Sequence, residues 1–313
     1  MNWNNGEWFG HKSNNKVKLS EPTIVDSAGS EDRALETNLS SKEFRNKLDE
    51  LMVKIDRSGE IDLIAIKNLY RTWNREHLQE FGESDDIFLS LIDDFLSTCA
   101  VFESMEVARR PAKDRTKSSE MIRSIELQRE LIKIVDESVD FDSNGSVVVK
   151  DEQAFSRTFA TLEFLDNLSS LIIEKGGGSK EFMPKKYLSG LRSMVCAFCL
   201  AKGIGARVEF AEPEFDQKYD LDMVVVKDNK RISLDVTTIQ RDDFNTAYGF
   251  QFFKEDKRSR IPDVVYHQLK LTSKAKLMLP SAFTGRGYYS GERGGIILGL
   301  PGRKMLEGFK RVF

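Results

Sequence analysis

The stretch YDLDMVVVKDNKRISLDVTTIQ, Tyr219 to Gln240, reads as two strands joined by a tight turn, and it places Asp220, Asp222 and Asp235 on them. Strand interiors disfavour Asp, so either these acids face water or they hold something positive. Asp220 and Asp222 are two residues apart and on a strand point to one face. Asp235 lies on the neighbouring strand, within reach of the same end. Carboxylates gathered this way repel one another unless a cation lies among them. Mg²⁺ or Mn²⁺ suits such a group, because a hard cation takes oxygen ligands and keeps waters for substrate phosphates. It can also polarise a phosphodiester and activate a water. Surface acids on a small sheet, with no metal, are the competing reading.

A second candidate is DFDSNGSVVVKD, Asp140 to Asp151, which fits the calcium-loop template D-x-[DN]-x-[DN]-G. Asp140, Asp142 and Asn144 would be weak Ca²⁺ ligands, with Gly145 at the sharp turn. Asp151 stands where a bidentate Glu is usual. A plain turn at DSNG, between two helices, is the favoured reading. Cys196 and Cys199 form CAFC, but no second Cys pair or His pair completes a zinc set. Their apolar, helical neighbourhood marks them as core residues. Three cysteines in all argue against a disulfide framework and fit a reducing compartment.

Elements must position these groups, and the pattern along the chain divides in two. Residues 1–40 are rich in Asn, Ser, Glu and Gly without periodicity, which predicts a disordered leader. Residues 41–175 carry apolar residues at helical spacing, as in SSKEFRNKLDELMVKI and SEMIRSIELQRELIKIVDESV, and predict an all-α bundle. Gly-rich KGGGSK supplies a linker at 176–180. Residues 181–313 then predict an α/β domain in the order α-β-β-β-α-β: a helix through PKKYLSGLRSMVCAFCLAKG, strands ARVEFA, LDMVVVK and RISLDVTTI, a basic helix IPDVVYHQLKLTSKAKLM, and a buried strand GGIILGL. A last helix, RKMLEGFKRVF, closes the chain.

That order, with DLDMVVV followed by ISLDVT, resembles the PD-(D/E)xK nuclease superfamily and its restriction-endonuclease-like core. The resemblance covers roughly residues 180–313. It implies a Mg²⁺- or Mn²⁺-dependent endonuclease acting on DNA or RNA, with Asp222 and Asp235 as the metal-binding acids and Asp220 as an auxiliary one. The family's Lys, two residues after the second acid, is here Thr237. Some relatives carry the basic group on the following helix, where His267, Lys270 and Lys274 would share one face. Gln240 could orient a water. A relative that binds nucleic acid without cutting it is the alternative.

Charge agrees with a polyanion partner for the second half. From Lys180 onward there are 24 Lys+Arg against 16 Asp+Glu, whereas residues 1–179 hold 23 against 34. The segments FKEDKRSR and GRGYYSGERGG offer Lys257, Arg258, Arg260, Arg286 and Arg293 to phosphates, and Tyr288 or Tyr289 to an unpaired base. The helical half is expected to dock a protein partner or the substrate. No apolar run is long enough to span a membrane and the N-terminus lacks a signal-like apolar region, so a soluble, cytoplasmic chain is expected.

Overall fold

In SEMIRSIELQRELIKIVDES the apolar side chains recur at helical spacing and form α1 (Ser119–Ser138), burying Leu131, Ile132 and Val135 while Lys133 and Glu137 stay outside. The computed structural model describes residues 119–142, 147–176, 182–213, 221–239, 247–255, 261–281, 286–291 and 295–313, with residues 216 and 219 and scattered positions between 46 and 96. The expected leader (1–40) and linker positions 177–180 lie outside the described residues.

The candidate calcium loop is built differently from a helix–loop–helix. Strands β1 (Val139–Phe141) and β2 (Val147–Val149) pair antiparallel across it, with Asp140 opposite Val148. Val147, Val148 and Val149 are β-branched and favour this ladder. Asp151, the expected twelfth ligand, instead caps α2 (Glu152–Gly176): its Oδ1 accepts from the backbone N–H of Gln153 and Ala154, each at 3.0 Å. Asp140 Oδ1 accepts from Phe141 N at 2.9 Å. Asn144 and Gly145 lie outside the described residues.

Helix α3 (Phe182–Gly203) is the centre of the fold. Leu188, Leu191, Val195, Ala197 and Leu200 are all buried, and so are Cys196 and Cys199. Burial pushes both thiols up, that of Cys199 to about 12, so they pack as small apolar groups rather than react. One face of α3 meets α1 and α2; the other meets a five-stranded sheet.

The sheet comprises β3 (Arg207–Glu209), β4 (Met223–Lys227), β5 (Lys230–Ile239), β6 (Gln251–Glu255) and β7 (Ser273–Pro280), in the order β3-β4-β5-β7-β6. β3, β4 and β5 run antiparallel, β5 and β7 run parallel, and β6 is antiparallel to β7. The turn between β4 and β5 has Asp228 at φ 48 and Asn229 at φ 62. Asp and Asn tolerate left-handed backbone, and two such residues in a row let a tight hairpin follow the strand twist.

Two elements differ from the expected order. The basic helix is short: α4 spans Asp263–Gln268, Lys270 turns the chain at φ 52, and the rest of the segment is β7. Ala275, Leu277 and Leu279 are fully buried at period two, the strand signal that a helical reading overlooked. GGIILGL is a single helical turn, α5 (Gly295–Leu298), ended by Gly299 at φ 78. A short run apolar on all sides does not distinguish strand from buried helix. Strand β6 (Gln251–Glu255) adds a fifth strand to those expected from the sequence pattern. The chain closes with α6 (Arg303–Val312), whose Met305, Leu306 and Phe309 are buried.

The α/β content is as expected, but the helical and α/β parts share one core. A continuous hydrophobic cluster runs from Leu69 and Phe88 through Leu131, Phe164 and Leu188 to Leu234, Leu277 and Phe309. Residues Thr37–Phe313 form one compact unit. The change of pattern at the Gly-rich segment therefore marks a change in secondary structure within a common core. A chain beginning at Lys180 would expose the face of α3 built for α1 and α2. Expressed alone it is expected to be insoluble or unfolded by circular dichroism; co-expression with residues 37–179 is expected to restore it.

A buried ion pair ties these layers. Arg192 on α3 is 1% exposed and its Nη2 lies 2.9 Å from Asp166 Oδ2 on α2, while its Nε donates to Ile297 O at 2.7 Å. Asp166→Ala would leave the guanidinium charge buried without its carboxylate. Its expected cost is about 3–5 kcal/mol in urea unfolding; a loss below about 1 kcal/mol would mean that solvent reaches Arg192. Among the described residues no helix is long and apolar enough to cross a membrane.

Candidate catalytic site

Residues paired across a β-ladder share a face, so the register sorts the sheet's side chains. Met223 and Val225 of β4, Ile232 and Leu234 of β5, and Ala275, Leu277 and Leu279 of β7 point to α3. The other face is mixed. Near β4 it is apolar: Val224 packs with Leu221, Ala211, Ile261 and with Val265 of α4. Beyond that cluster it turns polar.

Asp222 immediately precedes β4, and its N–H donates at 3.1 Å to the O of Leu234, the residue that Met223 already faces, so the ladder is bulged there and Asp222 sits beside the Leu234–Val236 segment of β5. Asp235 pairs with Lys276 on the parallel strand β7, and Lys276 pairs in turn with Phe253 on β6. A row of Asp235, Lys276 and Phe253 thus crosses three strands on one face, with Asp222 next to its Asp235 end.

The contacts in this row are specific. Asp222 Oδ2 accepts from Val236 N at 2.5 Å. Its proton affinity is held well above the usual carboxylate range, first by burial and then by the charge of Asp216; the Val236 N–H opposes this, and Asp235 adds to it. Asp235 Oδ2 lies 3.2 Å from Lys276 Nζ, and its Oδ1 accepts from Thr237 Oγ1 at 3.3 Å. The Lys276 side chain is 35% exposed, so its ammonium meets both the acid and solvent.

A second support comes from α1. Arg129 Nη1 donates to Ala211 O at 2.6 Å and Nη2 to Asp216 Oδ2 at 3.0 Å. The helical half thereby holds the segment leading into β4, and with it the acid that presses on Asp222.

Of the residues named from sequence, the structure brings Asp222 and Asp235 together. It separates the expected basic group: His267, Lys270 and Lys274 do not share a helix face, because the helix ends at Gln268. Lys274 is on β7, 3% exposed, with Nζ donating to Tyr219 O at 3.2 Å. Lys276, two residues on, is the lysine that reaches Asp235. Its signal was present in SKAKLMLP, where period-two alternation puts Lys274 and Lys276 on one face.

Of the two expected stacking tyrosines, Tyr289 is buried and Tyr288 half-buried. Tyr289 is 4% exposed and its hydroxyl donates to Pro280 O at 2.6 Å. Tyr288 lies under Lys304 Nζ, 5.5 Å from the ring centroid, and against Gly249. A Cβ on Gly249 would come within 2.3 Å of the Tyr288 ring, and its φ of +76 also favours glycine. Arg286 belongs to a 3₁₀ turn, Arg286–Tyr288. Asp220, Gln240, Lys257, Arg258, Arg260 and Arg293 lie outside the described residues.

Among the described residues no three Asp, Glu, His or Cys side chains converge as a metal-holding group. Two carboxylates suffice for Mg²⁺, which commonly takes one or two from protein and the rest from water and phosphate. Asp222 and Asp235 supply that number of carboxylates. Comparison with protein-family models, with curated proteins and with solved structures gave no match for this chain.

Proposed function

We propose that the chain is a metal-dependent nuclease acting on DNA or RNA. The observation that carries this is the approach of Asp222, just before β4, to the β5 segment that holds Asp235, where it accepts from Val236 N, with Lys276 Nζ 3.2 Å from Asp235. The order α3, three antiparallel strands, α4 and a strand parallel to the third supports it, since this is similar to the PD-(D/E)xK core. Strand β6 is an addition at the sheet edge.

Asp222 and Asp235 would hold Mg²⁺ or Mn²⁺, and the ion would supply Lewis-acid polarisation of the phosphodiester and an activated water. Lys276 takes the place of the lysine missing at Thr237: its ammonium, anchored by Asp235, faces the charge that develops on the phosphate. Thr237 keeps Asp235 oriented through its hydroxyl. Asp220, Gln240, Lys270 and Lys274 stay auxiliary to this reading, and the basic residues Lys257, Arg258, Arg260, Arg286 and Arg293 would track the backbone.

Thr237 in the place of the family's lysine favours a second reading, a nucleic-acid-binding protein that does not cut. One assay separates the two: incubation of plasmid, single-stranded DNA and single-stranded RNA with the full chain, with Mn²⁺ or with EDTA. Mn²⁺-dependent cleavage abolished by Asp235→Asn supports the nuclease; retention of nucleic acid without cleavage supports the binder; neither result removes both.

A further inference from the structure

The row that carries Asp235 and Lys276 ends on an aromatic ring. Phe253 is 49% exposed, and it is the only aromatic among the exposed large hydrophobic side chains of the described residues. Its neighbour Phe252 points to the opposite face, packing at 5.9 Å from Phe309 and 6.3 Å from Phe313. Strand alternation therefore accounts for the direction of Phe253 but not for its chemistry: a polar residue would suit an exposed edge position. Among the described residues β6 is bonded on one side only, to β7.

Distance and charge select the occupant. Strands lie about 4.8 Å apart, so the ring sits one strand from Lys276 and about 10 Å from Asp235 on the same face. That is within the reach of one nucleotide from a phosphate held between them. Residues 180–313 carry more Lys and Arg than Asp and Glu, and after Glu255 and Asp256 the run Lys257–Arg260 follows β6 in sequence. An aromatic face beside a partly exposed lysine that can meet a phosphate is an arrangement on which bases of single strands stack. A duplex keeps its bases stacked inside and offers the ring nothing.

We propose that Phe253 is a stacking platform for an unpaired nucleobase, so that the strand handled at Asp235–Lys276 is single-stranded there. This rests on the nuclease or nucleic-acid-binding reading above for the phosphate position.

The test uses the full chain in EDTA and fluorescence anisotropy with two probes: a short oligothymidylate and an abasic strand of equal length. The wild type is expected to bind the base-bearing strand more tightly. Phe253→Ala is expected to weaken that binding by about 5- to 100-fold, the range of one stacked base, and to leave the abasic strand unchanged. Phe253→Tyr should retain the preference. Equal loss on both probes, no loss on either, or no binding of either by the wild type would overturn the proposal. Binding in EDTA is independent of cutting. A Phe253-dependent base preference without Mn²⁺ cleavage would remove the nuclease and keep the platform. Mn²⁺ cleavage of plasmid by Phe253→Ala at wild-type rate, with no base preference, would do the reverse.

Discussion

Replacing Asp222 with Asn is expected to abolish metal-dependent cleavage and, in the metal-free protein, to raise thermal stability at neutral pH. The two effects share one cause. Burial, the charge of Asp216 and that of Asp235 hold the Asp222 carboxyl in its protonated form to a higher pH than its ordinary value of about 3.9. Between the unfolded value and the raised folded value, the native state keeps a proton that the unfolded chain has released. Stability therefore falls as pH rises through that window and stays reduced above it. Asn carries no charge, and its amide oxygen can still accept from the Val236 N–H. Asp222→Asn should thus lie above the wild type in Tm at pH 8, with the gap closing toward pH 4. Each kcal/mol recovered corresponds to roughly 2–4 °C in a domain near this size.

A divalent cation should act on the same charge. Bound to the native state alone, Mg²⁺ at one hundred times its dissociation constant stabilises by about 2.7 kcal/mol. The wild type should show that rise in Tm, whereas Asp222→Asn and Asp235→Asn should not. A mutant less stable than wild type at pH 8 that keeps its Mg²⁺ response would place the cation elsewhere and leave the carboxylate pair without a mechanism.

Lys276→Met is expected to lower the rate of cleavage by about 10²- to 10³-fold, the usual loss for a single preorganised charge-stabilising group. Met keeps much of the aliphatic stem and removes the ammonium. The cation should still bind, since both acids remain, so the Mg²⁺-dependent rise in Tm is the control. Thr237 gives a second arm. A lysine placed there lies on the same strand face as Asp235, two residues along. Thr237→Lys should add little to the wild type but should recover part of the activity lost in Lys276→Met. Full activity in Lys276→Met, together with loss in Lys270→Ala or Lys274→Ala, would return the basic group to the residues first expected from the sequence.

Much of this arrangement was legible before any coordinates. The helical spacing in SEMIRSIELQRELIKIVDES and PKKYLSGLRSMVCAFCLAKG determined α1 and α3, because apolar periodicity is a local property that burial then exploits. DNK between two β-branched runs determined the β4–β5 hairpin. With the hairpin came the pairing of β4 with β5, which brings Asp222, just before β4, toward Asp235, since a tight turn sets register. What the sequence could not decide was which distant strand lies beside β5. The Asp235–Lys276 contact joins residues 41 positions apart through a parallel ladder, and parallel pairing leaves no turn to read. The segment holding Lys276 was also ambiguous: a short helix runs into a strand within one basic, apolar-rich stretch, and only packing against α3 on one side and β6 on the other assigns each part. The shared core escaped for a related reason. A Gly-rich break reports a change in local pattern, while the decision to form one core or two belongs to the faces of α3, which meet α1 and α2 on one side and the sheet on the other. Phe253 is the last case. Its sequence neighbour Phe252 has the same side chain, and tertiary structure alone packs one against Phe309 and leaves the other across from Lys276.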